Sequence, residues 1–248
     1  MSLSYKKYAT WSPAVRWFHW INVLSVLTLI FIGLIMLYKK ELGIVSLEAK
    51  VGLKELHAIV GYIFATNLLI RLVFAFIGPP SARLSAFIPG KGFMQSLQSY
   101  RASLKAGKPQ QFIGHNPLGK LAVSALFSLL IILMISGLIR AGTDIYYPPF
   151  GSAVSSYIAA PGVDPASLIP YQKDGVDQEK MASLKAFKSP FGKIHLYTAY
   201  LLMVLILIHI AAVIRAEVKE EDSLVSSMFS GKKIIKGTPQ DDNPKKIS

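Results

Sequence analysis

Long apolar runs, broken by short polar stretches, dominate the pattern along the chain. Four runs reach the roughly 20 residues that a helix needs to cross a bilayer. They lie at about Val15–Tyr38, Leu56–Ile77, Leu121–Ile139 and Ile194–Ile214. Each is too long for the apolar region of a secretory signal, and no small-residue cleavage site follows the first, so all four are expected in the working protein. Ser12-Pro13 gives the first span a natural helix start, because proline tolerates an early helical position. Between spans two and three, Phe93, Leu97, Tyr100 and Leu104 recur at helical spacing beside Arg101 and Lys105. That spacing predicts a short helix lying on the inner membrane surface. The stretch at about 141–190 is rich in Pro, Gly, Tyr and acidic residues, and reads either as a docking surface or as an irregular loop. The last thirty or so residues read as polar and flexible, apart from Leu224, Val225, Met228 and Phe229. The pattern predicts an all-α, integral membrane four-helix bundle over residues 1–215 and a polar tail over 216–248, with no second soluble domain.

Charge changes the picture by giving orientation. The chain has 27 Lys and Arg against 14 Asp and Glu, a net charge of +13. Such an excess can signal nucleic acid, but in a membrane protein the positive-inside rule accounts for it, and no nucleic-acid partner is expected. The segment 78–120 holds six basic residues (Arg83, Lys91, Arg101, Lys105, Lys108 and Lys120) and no acid. Lys6, Lys7, Arg16, Arg71 and the tail residues Arg215, Lys219, Lys232, Lys233, Lys236, Lys245 and Lys246 fall on the same side. The opposite loop carries Asp144, Asp164, Asp174, Asp177 and Glu179. Both termini are therefore expected in the cytoplasm, and the 141–190 loop in the periplasm, of a bacterial inner membrane. The absence of cysteine excludes disulfides, Fe–S clusters, thiolate zinc sites, thiol nucleophiles and covalent c-type haem.

Four of the five histidines fall inside the spans, where ionisable side chains are costly and mark function by default. His57 and His195 lie near the outer ends of their spans, and His19 and His209 near the inner ends. On the fourth span the two histidines are fourteen residues apart. That is about 40° short of four full turns, so they share roughly one face, about 21 Å apart along the axis. Two cofactors, each held between two imidazoles, would stack across the bilayer in this arrangement. Haem suits it, since its iron accepts two axial imidazoles. A zinc site fits poorly, because the pairs are too distant to share an ion and have no carboxylates nearby. The plain alternative is that such histidines hydrogen-bond neighbouring helices or line a water cavity.

Gly61 and Ala199 follow His57 and His195 by one turn. They leave room for a flat macrocycle, or simply serve small-residue packing between helices. Arg71 lies fourteen residues after His57 and repeats the fourth-span geometry. It pairs with a haem propionate or a quinone carbonyl, or it snorkels to the inner surface.

The segments PAVRWFHW (13–20), LHAIVGY around His57, IGHNPLG (113–119), the IH…LIHIAAVIRAEV stretch from Ile194 and DSLVSSMFSGKK (222–233) carry a family resemblance. The sequence resembles the cytochrome b subunits of membrane-bound nickel-iron hydrogenases and the bacterial cytochrome b561 group, over all four spans. The segment around TDIYYPPFG (143–151) has no match in hydrogenase subunits. The resemblance implies two non-covalent b haems, with His57 and His195 as axial ligands on the periplasmic side and His19 and His209 on the cytoplasmic side. It also implies electron transfer between a periplasmic redox enzyme subunit, or a cytochrome c, and the quinone pool. Inner-side protonation of the quinone would couple that transfer to the membrane potential. By similarity to formate dehydrogenase subunits, Gly114, His115 and Asn116 are candidate quinone contacts. A glycine backbone and an Asn amide can hydrogen-bond a quinone oxygen, and an ordinary His titrates near neutrality. The other reading of these residues is that they start the third helix, with Asn116-Pro117 as cap and first turn.

The chain is thus expected to be an electron-transfer subunit of a respiratory oxidoreductase rather than a complete enzyme. Two rivals stand beside this: a free-standing b561-type quinol oxidoreductase feeding a soluble or multihaem cytochrome c acceptor, and a haem-free transporter whose histidines line a polar path.

Overall fold

The computed structural model describes residues 5–219 and 223–242. The chain runs through β1 (Tyr5–Ala9), α1 (Pro13–Leu37), α2 (Leu47–Ile77), α3 (Leu84–Phe87), α4 (Phe93–Lys105), α5 (Pro117–Ile145), α6 (Gly151–Ile158), α7 (Gln178–Lys219), α8 (Leu224–Ser230) and β2 (Lys232–Lys236). Helices α1, α2, α5 and α7 are long and apolar enough to cross a membrane. Leu24, Phe31, Phe76 and Leu207 on these helices are well exposed. Outward apolar side chains with internally satisfied backbones are what lipid demands.

Helix α1 starts where expected: Ser12 Oγ accepts from Val15 N at 3.4 Å, and Pro13 occupies the first turn, where its missing N–H costs nothing. The other long helices outrun their apolar spans. Helix α2 begins at Leu47 rather than near Leu56, α5 continues to Ile145, and α7 begins at Gln178. Charged helical turns emerging into water do not register as membrane-crossing, so hydropathy alone truncates them.

Two compact units make up the chain. One comprises residues 1–20, 69–128 and 203–248, and the other 21–68 and 129–202. Each long helix contributes a segment to both.

In the first unit, β1 and β2 form an antiparallel pair with Tyr5 opposite Lys236 and Ala9 opposite Lys232. Residues 223–242 of the tail expected to be flexible are therefore folded, and the all-α expectation gains a two-stranded sheet. The physical reason is burial: Ile235, Ser227 and the aliphatic stem of Lys233 are removed from water, and Trp11 Nε1 donates to Ser227 Oγ at 3.1 Å. Gly231 adopts φ +75°, and an added Cβ there would fall 2.8 Å from the Trp11 carbonyl oxygen, a left-handed close approach that favours glycine. Lys245 and Lys246, which entered the charge argument, lie outside the described residues. The amphipathic helix expected around Phe93–Leu104 is α4, with Tyr100 its buried residue.

In the second unit, the 141–190 stretch is not an irregular loop throughout. Its ends belong to α5 and α7, and between them α6 packs on a small core of Ile158, Leu168, Val176 and Leu184. Asn67 Nδ2 donates to Asn22 Oδ1 at 2.9 Å, a polar tie of the kind that joins helices in lipid.

Candidate functional site

The four intraspan histidines divide between the units: His57 and His195 belong to one, His19 and His209 to the other. All four are partly buried.

His57 on α2 and His195 on α7 face each other, with ring centroids 6.2 Å apart and planes at 72°. Metal–imidazole bonds are about 2.0–2.1 Å long, so two rings bound on opposite sides of one ion place their centres about 6 Å apart. Ser136 on α5 bonds one ring: its hydroxyl donates to the Ile132 carbonyl at 2.7 Å and its oxygen lies 2.9 Å from His195 Nδ1. The His195 ring also bonds the Leu133 backbone, and such outer partners orient a ligating imidazole. Gly137 and Gly33 make the space. An added Cβ would meet His195 Cε1 at 3.3 Å from Gly137, and His57 Cε1 at 3.7 Å from Gly33. Gly61 borders open space, while Ala199 is half-buried.

His19 and His209 lie within electrostatic range of each other. His19 also meets Trp20 edge-to-face at 5.1 Å. The Nδ1 atoms of His19 and His57 are buried and have no hydrogen-bond partner among the described residues. A buried polar atom left unmatched costs about 1–3 kcal/mol, so both rings hold bonding capacity that their own units leave unused.

Arg71 does not snorkel. It is buried, its Nη1 donates to the Ala82 carbonyl at 2.8 Å, and its guanidinium carbon lies 5.3 Å from the Phe87 ring and 5.4 Å from the Phe127 ring. The cation is held by cation–π contacts inside its unit.

The 113–116 segment is bound mostly by its own chain. Ile113 N and Gly114 N donate to the Asp241 carboxylate at 2.7 and 2.9 Å. Lys233 Nζ donates to the Phe112 and Gly114 carbonyls at 3.0 and 3.4 Å. Asn116 Oδ1 caps α5 by accepting from Gly119 N at 2.7 Å, and its Nδ2 donates to the Tyr100 hydroxyl at 2.9 Å. These bonds favour the helix-start reading for Gly114 and Asn116, since their polar groups are already engaged. His115 lies against Trp11, with centroids 4.8 Å apart. Burial lowers its pKa from 6.5 to about 4, opposed by a hydrogen bond to the Ala86 backbone and reinforced by Lys233, Lys120 and Arg71. Its environment is that of a neutral imidazole, not of a group titrating near neutrality.

The sequence reading missed Ser136, Gly33 and Gly137. A signal for the glycines was present, since both lie mid-span, and Gly33 follows His19 by the same fourteen residues that separate His195 from His209.

Comparison with known proteins gives this geometry a lineage. The sequence profile described as prokaryotic cytochrome b561 matches residues 10–231. The chain belongs to the prokaryotic cytochrome b561 family. It is therefore a membrane-integral b-type cytochrome, and haem b is the cofactor that goes with that class. The chain is similar to a probable Ni/Fe-hydrogenase B-type cytochrome subunit from Rhizobium leguminosarum bv. viciae, with 26% identity covering 90% of this chain and 87% of the relative. A protein of the same description from Cupriavidus necator is 24% identical, covering 94% and 89%. The probable Ni/Fe-hydrogenase 1 B-type cytochrome subunit of Escherichia coli K12 is 29% identical over 134 residues, half of this chain. No solved structure is significantly similar.

The residues present fit haem b. The cytochrome b561 chain offers opposed imidazoles, unmatched nitrogens on His19 and His57, and a glycine, Gly137, where a side chain would crowd the His195 ring.

Proposed function

We propose that this cytochrome b561 is the membrane-anchor subunit of a hydrogenase-like respiratory oxidoreductase. It carries electrons across the inner membrane between a periplasmic redox partner and the quinone pool. The observation that carries this reading is the opposed pair His57–His195, 6.2 Å apart between ring centroids. Its similarity to probable Ni/Fe-hydrogenase B-type cytochrome subunits supports the hydrogenase association.

In this reading the chain forms a four-helix bundle holding two b haems, with both termini cytoplasmic. His57 and His195 hold the outer haem, and His19 and His209 the inner one. Bound haem supplies the one-electron carrier. The rest is the work of this chain's residues. Ser136 holds the His195 ring through Nδ1, while Gly137 keeps a side chain off that ring. Helix α7 carries a ligand for each site, and fourteen residues of rise separate them by about 21 Å. Arg71 holds a fixed positive charge in the unit of the inner pair, suited to a propionate or a quinone oxygen. His115 completes the inner quinone region as a neutral hydrogen-bonding group, with Gly114 and Asn116 as its framework.

The test is a reduced-minus-oxidised spectrum of the purified chain with pyridine haemochromogen quantification. Two b haems per chain are expected. His57→Ala or His195→Ala should remove one, and His19→Ala or His209→Ala the other. A folded chain from haem-replete cells that binds no haem would overturn the reading in favour of a haem-free transporter.

A further inference from the structure

The outer ends of three long helices converge on one carboxylate. Asp144 of α5 is buried. It meets Lys54 of α2 at 3.0 Å, Lys188 of α7 at 2.8 Å and Arg140 one turn back on α5. Lys188 also donates to the Thr143 carbonyl at 3.1 Å, and Lys54 bonds the Tyr171 hydroxyl. Three cations meet one carboxylate, so the cluster keeps two positive charges in excess. Concentrating such an excess around one buried carboxylate, with the cations only 20–33% exposed, is unfavourable unless further anionic charge arrives.

The cluster adjoins the outer pair in a regular way. Lys54 precedes His57 by three residues on α2, and Arg140 follows Gly137, which backs the His195 ring, by three on α5. Gly192 precedes His195 by three on α7, and a Cβ there would collide with Arg140 Nη1. The Arg140 guanidinium thus lies directly on the α7 backbone. Residues three apart are neighbours on a helix face, so Lys54 and Arg140 lie one turn outward from the two imidazoles, and Lys188, seven residues before His195, about two turns. Arg140 is also in electrostatic range of both rings.

We propose that Lys54, Arg140 and Lys188, held together by Asp144, form the recognition site for the two propionates of the outer haem. The inference rests on His57 and His195 being that haem's ligands. Two propionates carry two negative charges, the number the cluster lacks. Arg140 is the residue shaped for a carboxylate, since its planar fork can donate two parallel bonds. Asp144 is a positioning residue: it aligns three flexible cations before the cofactor arrives and limits the excess charge to what the propionates neutralise. Gly192 lets the guanidinium lie against α7 on the ligand side.

The test loads the full-length chain, made in haem-limited cells, with iron protoporphyrin IX or with its dimethyl ester, which lacks the propionate charges. Dissociation from each site is followed, with the two haems distinguished by potentiometric titration. The unaltered chain should release the diester from the outer site at least about tenfold faster than haem, the scale set by losing charge-assisted hydrogen bonds. Arg140→Gln and Lys54→Gln should each shrink that ratio, and together bring it close to one. Gly192→Ala, which keeps every charge but displaces the guanidinium, should shrink it as well. Asp144→Asn should preserve the preference for haem while raising the outer midpoint potential. Retention of the inner haem in the same samples shows that each variant is folded. An undiminished ratio in the Arg140→Gln/Lys54→Gln double variant overturns the proposal while leaving the ligand assignment intact. Failure of the unaltered chain to hold any haem that depends on His57 overturns both.

Discussion

Ser136 stands 2.9 Å from Nδ1 of His195, and the same hydroxyl donates to the Ile132 carbonyl. A hydrogen bond to one ring nitrogen orients the imidazole and biases which nitrogen is free to ligate. Ser136→Ala removes that bond. The expected loss is about 1 kcal/mol of ligand preorganisation, seen as faster haem loss from the outer site and an altered outer midpoint potential. The inner haem should be unchanged. An outer site indistinguishable from the original would show that the hydroxyl plays no part in orienting the ring.

Gly137 and Gly33 allow a graded test of the space beside the outer ligands. A methyl at Gly137 would lie 3.3 Å from the His195 ring, tighter than ordinary contact, while one at Gly33 would lie 3.7 Å from the His57 ring, ordinary van der Waals distance. Gly137→Ala should therefore push the His195 ring by a few tenths of an ångström and weaken the outer haem's retention. Gly33→Ala should leave retention close to that of the original chain. Difference spectra of the two variants check the order, and the reverse order would refute the placement of the rings.

The residues that were legible in advance are those governed by local periodicity. Run length gives the four spans, because a helix needs about 20 apolar residues to cross a bilayer. Helix ends were not legible. The turns 47–55 and 178–193 carry charges in water that hydropathy reads as loop, yet they continue α2 and α7. The β1–β2 pair joins residues more than two hundred positions apart, and a lysine-rich KKIIK strand reads as solvated although its Lys233 and Ile235 are buried. The bonds that hold the 113–116 segment were hidden for the same reason: its partners Lys233 and Asp241 come from the distant tail. The Asp144 cluster likewise draws on three helices, and no single window of sequence contains it.

The Asp241 clamp predicts a local rather than global effect. Its two carboxylate oxygens accept from the backbone of Ile113 and Gly114. Asp241→Ala returns those amides to solvent and costs on the order of 1 kcal/mol at an exposed site. Hydrogen exchange at Ile113 and Gly114 should accelerate, while protection within α5 beyond Gly119, which Asn116 caps independently, should hold. Unchanged exchange at the two amides would mean that the tail does not restrain this segment in solution.

His115 predicts a pH dependence with a defined sign. Its folded pKa is about 4, against 6.5 for the free imidazole, with burial the leading cause. Between these values the unfolded chain binds a proton that the folded chain does not, so stability falls as the pH drops. The loss begins as the pH passes below 6.5 and is complete below about 4, and above 6.5 the residue contributes no slope. The full span corresponds to a loss of roughly 3 kcal/mol. His115→Gln, which keeps a polar side chain of similar size without a titrating ring, should flatten that part of the profile. Thermal unfolding of both proteins in detergent between pH 7 and pH 4 measures the difference. Identical slopes would show that His115 takes up its proton equally in the folded and unfolded chain, and would restore it as a group able to exchange protons near neutrality.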